Sequence, residues 1–535
     1  MLRVLNIRTI VPLEKPLEVL VAKKLRCSRS DIEQVCIVRR SVDARRKPRI
    51  YFVFTVDVSL SREESVWKGC RDNKDVRRIT DQPAPVIFPG TQPLVARPIV
   101  IGTGPSGLAA ALLLARHGYR PIVFERGCDV DTRAIHVEDF WRDGVFRPNS
   151  NVQFGEGGAG TFSDGKLTTR VNHPLLRQIL QIFVDAGAPE EIRYAYNPHI
   201  GTDILRRVVK NIRQMIEALG GTVRFQSCVT AVNRDEYGHV SSVTVNDRQE
   251  YAADIVIMGI GHSARDTYYM LHRKGVVLEK KPFAIGVRIE HDQRVIDRSQ
   301  YGCDAADLGL EPADYALVYH RQGGRSCYSF CMCPGGVVVG AASEKGRVVT
   351  NGMSLYQRDS GIANSALVVN VTADDMEGDG PLAGIEFQRR YEELAYQAGG
   401  RNYHAPAQTV GSFLHRSGAD IEPASCHSYR PGVTWTDLHG VLPDFVSSTL
   451  EQALPYFGRR IHGFDDDCAV MTGVETRTSA PVRITRGADR AAVQTGGLYP
   501  VGEGAGYAGG IMSAFLDGME TALEIIHKYQ PLEVK

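Results

Sequence analysis

Gly102, Gly104, Gly107 and Glu125 are the residues whose types and spacing define a chemistry most directly. They lie in PIVIGTGPSGLAAALLLARHGYRPIVFERG (98–127): a short apolar strand, a glycine turn, an apolar helix and a second strand ending in an acid, with Glu125 18 residues after Gly107. In G-x-G-x-x-G the first glycine permits a tight turn, the second lets a pyrophosphate approach the backbone, and the third lets helix and strand pack closely. The helix that opens at Pro105 and Ser106 offers its first N–H groups and the positive end of its dipole to phosphates. Glu125, followed by Arg126, is spaced to accept hydrogen bonds from a ribose 2′-OH. A lone G-x-G-x-x-G is a weak signal, and an ordinary βαβ turn is the alternative. With strand, helix and acid in register, the segment predicts dinucleotide binding.

Other residues could carry chemistry. Cys331-Met332-Cys333 is a possible redox dithiol, although C-x-C lacks C-x-x-C geometry and cysteines in an apolar strand are commonly core residues. Cys333 is retained as a catalytic candidate. His262 and Arg265 follow the run VIMGIG; phosphate binding and helix capping with an ion pair are both open for them. In ETRTSAPVRITR, which holds Glu475, Arg477, Thr478 and Ser479, Arg477 can orient a carboxylate or polarise a carbonyl, or form an inter-domain salt bridge. His427 and Tyr429, in CHSYRPG, could serve as acid/base groups, with a structural role the preferred reading. Gly259-Ile-Gly261-His-Ser-Ala264 is formally a second fingerprint, but no acid-tipped strand follows, so a separate NAD(P) domain is not expected. No Walker A, G-x-S-x-G, H-E-x-x-H or metal-ligating spacing occurs, and no metal site is expected.

These residues need elements to position them. The meander GTVRFQSCVTAVNRDEYGHVSSVTVNDRQEYAADIVIMGIG predicts short strands with turns at Asp235-Glu236 and Asn246-Asp247, ending in a buried strand at Asp254 to Met258. Near the C-terminus, LYPVGE predicts a strand, followed by a glycine-rich loop and a helix from Gly510 to His527. That helix places Ile511, Phe515, Met519, Ala522 and Ile526 on one face. At the N-terminus the order βαββα predicts a small module over residues 1–80. Its two long strands flank the polar run DARRKP, and Ser61 with Glu64 reads as a capping box. A Pro-rich linker (81–97) follows.

Composition bounds the rest. A chain of 535 residues with 43% hydrophobic and 23% charged residues is a globular protein of two or three domains. Eleven cysteines without a framework, and an N-terminal MLRVLNIRTIVPLEK without an apolar signal core, predict reduced thiols and a cytoplasmic location. No membrane span is predicted. Net charge is +1 overall, but residues 1–90 carry +8 and the remainder −7. An anionic partner, nucleic acid included, is one reading of this asymmetry; solvated charge and a contact with the acidic body is the preferred one.

Several segments resemble flavoproteins of the glutathione-reductase type. FGEGGAGTFSDGKL (154–167) is similar to their glycine-rich loop at the flavin, which implies cofactor contacts from Gly158, Gly160, Thr161, Ser163, Asp164 and Gly165. The meander resembles the strand that covers the cofactor, with Val229 at the adenine and Gly261 in the small-residue turn. GLYPVGEGAGYAGGIMSAFLDG (497–518) resembles the strand whose Gly-Asp holds ribitol and pyrophosphate, here Gly502-Glu503. Gly509, Gly510 and Ile511 then open a helix toward the flavin. By analogy with prenyl-reductase-type flavoproteins, the turn Pro334-Gly335-Gly336 faces flavin or substrate.

The runs FGEGGAGTFSDGKLTTR, GIGHSARDTY, YSFCMCPGG, NGMSLYQR, GVETRTSAPVRI, GEGAGYAGGIMSA and SVDARRK together resemble a bacterial family described as FAD-dependent dehydrogenases. That resemblance covers nearly the whole chain. It implies an α/β fold: an FAD-binding Rossmann-like domain (98–280 and 481–535), an inserted β-rich substrate domain (281–480) and the basic N-terminal α+β module. It also implies FAD and a redox role. The residues then read as a non-covalent flavin passing hydride to or from a small molecule, with NAD(P)H as a transient donor and Arg477, His262 and Cys333 as catalytic candidates. The competing reading is a flavin-binding interaction or RNA-associated protein.

Overall fold

The computed structural model describes residues 1–47, 49–80, 87–321, 323–419 and 427–532. Its organising element is a five-stranded parallel sheet in the order Leu498–Pro500, Val256–Met258, Ile99–Ile101, Ile122–Phe124, Thr222–Arg224. The inner strands IVI and VIM are fully buried, as a sheet covered on both faces requires. On one face lie the fingerprint helix Pro105–Arg116 and the C-terminal helix Ile511–Lys528. Gly107 allows that packing: a Cβ there would stand 2.0 Å from Gly102 O. The predicted apolar face of the C-terminal helix is buried at every one of its five positions. Antiparallel strands Val229–Arg234, Val240–Val245 and Gln249–Ala252 form the meander, which leads into Val256–Met258.

Between residues 278 and 484 the chain builds a second unit, entered and left through an antiparallel ribbon, Leu278–Lys280 with Val482–Ile484. Its seven-stranded sheet runs Val318–His320, Ser326–Cys333, Ile362–Val371, Phe283–Asp292, Val470–Glu475, Ala405–Thr409, Val433–Trp435. Helices Gln293–Tyr301, Ala383–Ala398 and Asp444–Gly458 belong to the same unit, so the β-rich segment is a mixed one. Strand alternation divides its two faces. Ile285, Val287 and Ile289 enter the helix-packed core, while Arg288 and Glu290 point to the other side, under a hairpin of Val337–Gly340 and Thr350–Met353.

The N-terminal module has the order βαββαβ, one strand more than expected. Val76–Arg78 pairs with Leu2–Ile10 and is too short to show in the sequence pattern. Two local expectations fail here. The strands run on through DARR to an Arg46–Arg49 pairing. Ser61 does not cap the helix Glu63–Cys70; its hydroxyl turns to Asp31 O. The module docks on the body through Arg40, whose backbone bonds Tyr194 O and Tyr196 N, whose guanidinium lies 3.7 Å from Glu311, and whose neighbour Arg39 stacks on Tyr196. Some of the basic charge is thus spent inside the molecule. Of the linker, residues 81–86 lie outside the described residues. Beyond them Gly90 and Gln92 bond the backbone at the end of the C-terminal helix.

Candidate functional site

A cavity of about 390 Å³ opens at the carboxyl ends of four neighbouring parallel strands, within the roughly 300–1,000 Å³ usual for ligand sites. Each strand end contributes in turn: Glu125 and Arg126, then Gly102 and Gly104, then Gly259, Gly261 and His262, then Glu503. This is where an open parallel sheet places its ligand. Val229, the 158–165 loop and the start of the C-terminal helix close the sides. The far wall comes from the second unit, through Phe330, Cys331 and Glu475 of its sheet and Asn351 of the hairpin.

At one end Glu125 is buried and serves as a hub. One oxygen accepts from Thr103 N (2.9 Å) and Oγ1 (2.7 Å), the other from Gly127 N (2.9 Å) and Gly155 N (3.0 Å). The acid thus ties the fingerprint turn to the second glycine segment. A ribose hydroxyl would share an oxygen already in use. Arg126 lines the cavity, stacks on Phe154 at 4.5 Å and pairs with Asp266.

The glycine-rich loop is held from behind by Arg133, a residue sequence reasoning missed. Its fully buried guanidinium donates to the carbonyls of Asn151 (2.9 Å), Val152 (2.9 Å), Gly155 (3.2 Å) and Glu156 (2.6 Å). The loop then presents backbone to the cavity. Its two hydroxyls differ. Thr161 is off the cavity lining, with Oγ1 on Glu156 O, whereas Ser163 lines the cavity, its hydroxyl bridging Gly160 O and Gly165 N within its own turn. Asp164 reaches the lining, but its carboxylate is taken by Arg358 (2.6 Å) and Ser354. Gly158 and Gly165 line the cavity, as does Gly160.

Further placements depart from the sequence reading. Gly107 and Gly502 do not line the cavity: Gly107 packs against the strand, and Gly502 N bonds Asp517 while its α-carbon faces Ser106. Cys333 is buried behind the wall, and Cys331 is the cysteine that faces the cavity. The Pro334-Gly335-Gly336 turn does not line the cavity either; Gly335 N bonds Gln293. His427 packs edge-on against Trp435, and buried Tyr429 bonds Tyr403 O.

Arg477 lines the cavity yet is fully engaged. It makes a two-pronged pair with Glu392 (3.1 Å each), and its remaining nitrogen meets Ser263 (2.8 Å) and Ser343. Arg265 grips the same Glu392 from the other side at 2.7 and 2.8 Å, together with Gln388 and Glu344. Of the two readings for each arginine, the geometry shows the buried ion pair. Both arginines and the carboxylate are almost wholly enclosed. His262 lines the cavity with Nδ1 2.9 Å from Ser263 Oγ. Burial, then Arg477 and Arg265, push its pKa down to about 3, so the imidazole is neutral and brings no cationic charge to a phosphate. Glu503 also lines the cavity. Burial outweighs Lys281 and, with Cys331, raises its carboxyl to about 7.

These residues fit a flavin dinucleotide. A Cβ at Gly104 would meet nothing nearer than Gly158 Cα at 3.9 Å, and at Gly261 or Gly509 nothing within 4 Å, so bare backbone faces open space along the crevice. Neither helix that starts there, at Pro105 or Ile511, has a side-chain cap, which leaves first-turn N–H groups for phosphate or a ring carbonyl.

Comparison with known proteins agrees. Residues 282–478 match the family model "FAD-dependent protein, C-terminal domain-like", residues 100–152 an NAD(P)-binding Rossmann-like domain, and residues 1–59 a domain of unknown function. A protein of Clostridium beijerinckii, itself uncharacterised, is 48% identical over 96% of both chains. Among solved structures, CtdE with FAD is 13% identical (TM-score 0.30, covering 79% of this chain and 83% of that one). The glycerol-3-phosphate dehydrogenase of Bacillus halodurans with FAD is 13% identical (TM-score 0.33, 80% and 64%). The L-amino acid deaminase of Proteus myxofaciens is 10% identical (TM-score 0.34, 85% and 95%). With identities and TM-scores this low, none of the three bears on activity.

Fold and site define the class of Rossmann-type FAD flavoproteins. Within it, the chain belongs to the family of FAD-dependent proteins that its C-terminal domain model and its Clostridium beijerinckii relative mark out. Among the described residues no helix is long and apolar enough to cross a membrane.

Proposed function

We propose that this chain is an FAD-dependent oxidoreductase that passes hydride between a non-covalent flavin and a small-molecule substrate. The observation that carries the reading is the continuity of the cavity. It begins over the glycine turn of the fingerprint and ends against a charged wall from the second sheet. In this reading residues 98–280 and 481–535 form the cofactor domain, and 281–480 the substrate domain. Bound FAD supplies a two-electron centre.

The chain's own residues do the rest. Gly104 and Gly158 let the pyrophosphate reach backbone, and the first turn of Ile511–Lys528 offers N–H donors to a carbonyl edge of the ring. Glu503, with its carboxyl raised to about 7, holds a proton that it can donate to a cofactor or substrate oxygen. The pair of Arg288 with Glu475 (3.0 and 3.2 Å) fixes the far wall. The Arg265–Glu392–Arg477 group, which links residues of both units, sets that wall against the nucleotide crevice.

The test is anaerobic mixing of the FAD-loaded protein with NADPH and then NADH, followed at the visible flavin band. Bleaching with either establishes a nicotinamide-linked flavoenzyme. A stable band with both points to a substrate-reduced dehydrogenase. A protein that takes up no FAD overturns the reading.

A further inference from the structure

The titratable groups that line the cavity differ in their freedom to react. Asp164, Glu125 and Arg477 are each held by two or more protein partners, as described above, and Glu475 by Arg288 and Thr350. Lys166 is tied to Met332 O and Cys228 to Arg126. Cys331 is bonded instead by a second thiol, that of Cys333. It sits at a bulge in the strand Ser326–Cys333, where the register with Ile362–Val371 shifts between Phe330 and Cys333 and its own φ is +45°. Two cations clamp the backbone around it: Arg288 donates to Cys331 O at 2.9 Å, and Lys166 to Met332 O. The clamp leaves the Cys331 side chain half-buried in the cavity wall, while Cys333 stays behind it with its thiol 3.3 Å from Cys331 O.

From this geometry we propose that Cys331 is a nucleophilic thiolate site for soft carbon electrophiles entering the cavity, the class of α,β-unsaturated carbonyl compounds. In the reaction the thiolate forms an S–C bond at the β-carbon, the C=C π pair moves to the α-carbon, and that carbon takes a proton from solvent. No redox partner is needed. The electrostatics agree with the geometry. The Cys333 thiol, then Arg288 and Lys166, outweigh burial and the Glu475 carboxylate and draw Cys331 down to about 6, against about 8.5 for a free cysteine. Cys333 moves the opposite way, raised by its hydrogen bond to Cys331 and by burial. Among the charged groups facing this sulfur, Cys333 comes from its own strand, Arg288 and Glu475 from strands two and three places along the same sheet, Lys166 from the glycine loop, and Glu503 across the cavity.

The experiment uses the full chain and N-ethylmaleimide as the probe, with adducts read peptide by peptide by mass spectrometry from pH 5 to pH 9. The exposed Cys36 and Cys468 serve as internal references. The Cys331 rate is expected to reach half its maximum near pH 6. Cys333→Ala moves that midpoint upward toward the ordinary thiol range, because the S–H donor is gone. Cys331→Ala removes this adduct and leaves those on Cys36 and Cys468. Added FAD slows the adducts on the cavity-lining Cys331 and Cys228 and leaves those on Cys36 and Cys468 unchanged. A midpoint of about 8 or above, or a Cys331 adduct slower than that on Cys36 at pH 6, overturns the proposal. The thiol titration needs no cofactor, so it stands or falls separately from the flavin reading.

Discussion

At the scale of single residues, the site depends on where a side chain is absent. Gly104 has φ −67° and ψ 176° as N-cap of its helix, values open to any residue, and a Cβ there points to the cavity rather than into protein. Gly104→Val therefore separates binding from folding. FAD affinity is expected to fall about 100-fold or more, about 3 kcal/mol, with the melting temperature of the apo protein within a few degrees of the parent. Flavin retention through gel filtration and a thermal melt check both. A yellow, fully loaded variant would refute the placement of the pyrophosphate. Gly107 makes the contrast: a methyl there meets Gly102 O at 2.0 Å, so its replacement damages the fold itself.

At the scale of elements, the glycine-rich loop and the helix behind it act as one unit. Arg133 projects from the helix Val130–Asp143 into the loop 151–156 and satisfies four carbonyls that no strand or helix serves. Arg133→Met keeps an unbranched apolar stem and removes the donors, together with the guanidinium that lies 4.8 Å over Phe162. The carbonyls of Gly155 and Glu156 keep Gly158 N and Thr161 Oγ1, and stranding those of Asn151 and Val152 costs on the order of 3 kcal/mol. Urea unfolding should show that loss together with weaker FAD binding. If stability falls and flavin affinity is unchanged, the loop is not part of the cofactor site.

At the scale of the whole molecule, the two sheets meet across a buried charge cluster. Glu392 comes from the helix Ala383–Ala398, Arg265 from the start of the helix after the nucleotide strand Val256–Met258, and Arg477 from the chain just beyond Val470–Glu475. Removing the central carboxylate leaves the enclosed Arg477 without its counter-ion and Arg265 with Glu344 alone. Glu392→Ala should therefore destabilise the protein by about 3–5 kcal/mol, measured by urea unfolding at pH 7.

The same cluster sets an acid limit. Burial raises the Glu344 carboxyl, but Arg389 and Arg265 outweigh it and draw it down to about 2; the same two-sided pairing depresses Glu392 further. A carboxylate whose folded pKa is depressed contributes stability that is complete above its unfolded value, about 4.3. That contribution is lost as pH falls toward the folded value. Melting temperature should thus decline between about pH 4 and pH 2, and the decline should be shallower in Glu344→Gln.

The sequence by itself determined what depends on neighbours along the chain. Strand, glycine turn, helix and acid between Pro98 and Gly127, the meander into Met258, and the apolar face of the C-terminal helix were all legible. Their signals are local periodicity and the steric demands of glycine. The cofactor class was legible too, through the resemblance of several separate runs taken together. The three-residue strand Val76–Arg78 was not, because so short a segment has no periodicity and exists only by pairing with Leu2–Ile10.

Only the tertiary structure decided which way side chains turn and which charges meet. Thr161 and Ser163 stand in a cofactor-like loop yet spend their hydroxyls on the loop itself. Cys331 and Cys333 look equivalent in sequence until a bulge turns one into the cavity and the other behind it. Arg265 and Arg477 are 212 positions apart in the chain, and nothing in their local surroundings shows that Glu392 holds both. Ion pairs of this kind are fixed by where two sheets pack. Long-range burial sets them, and the order of residues shows it only once the chain is folded.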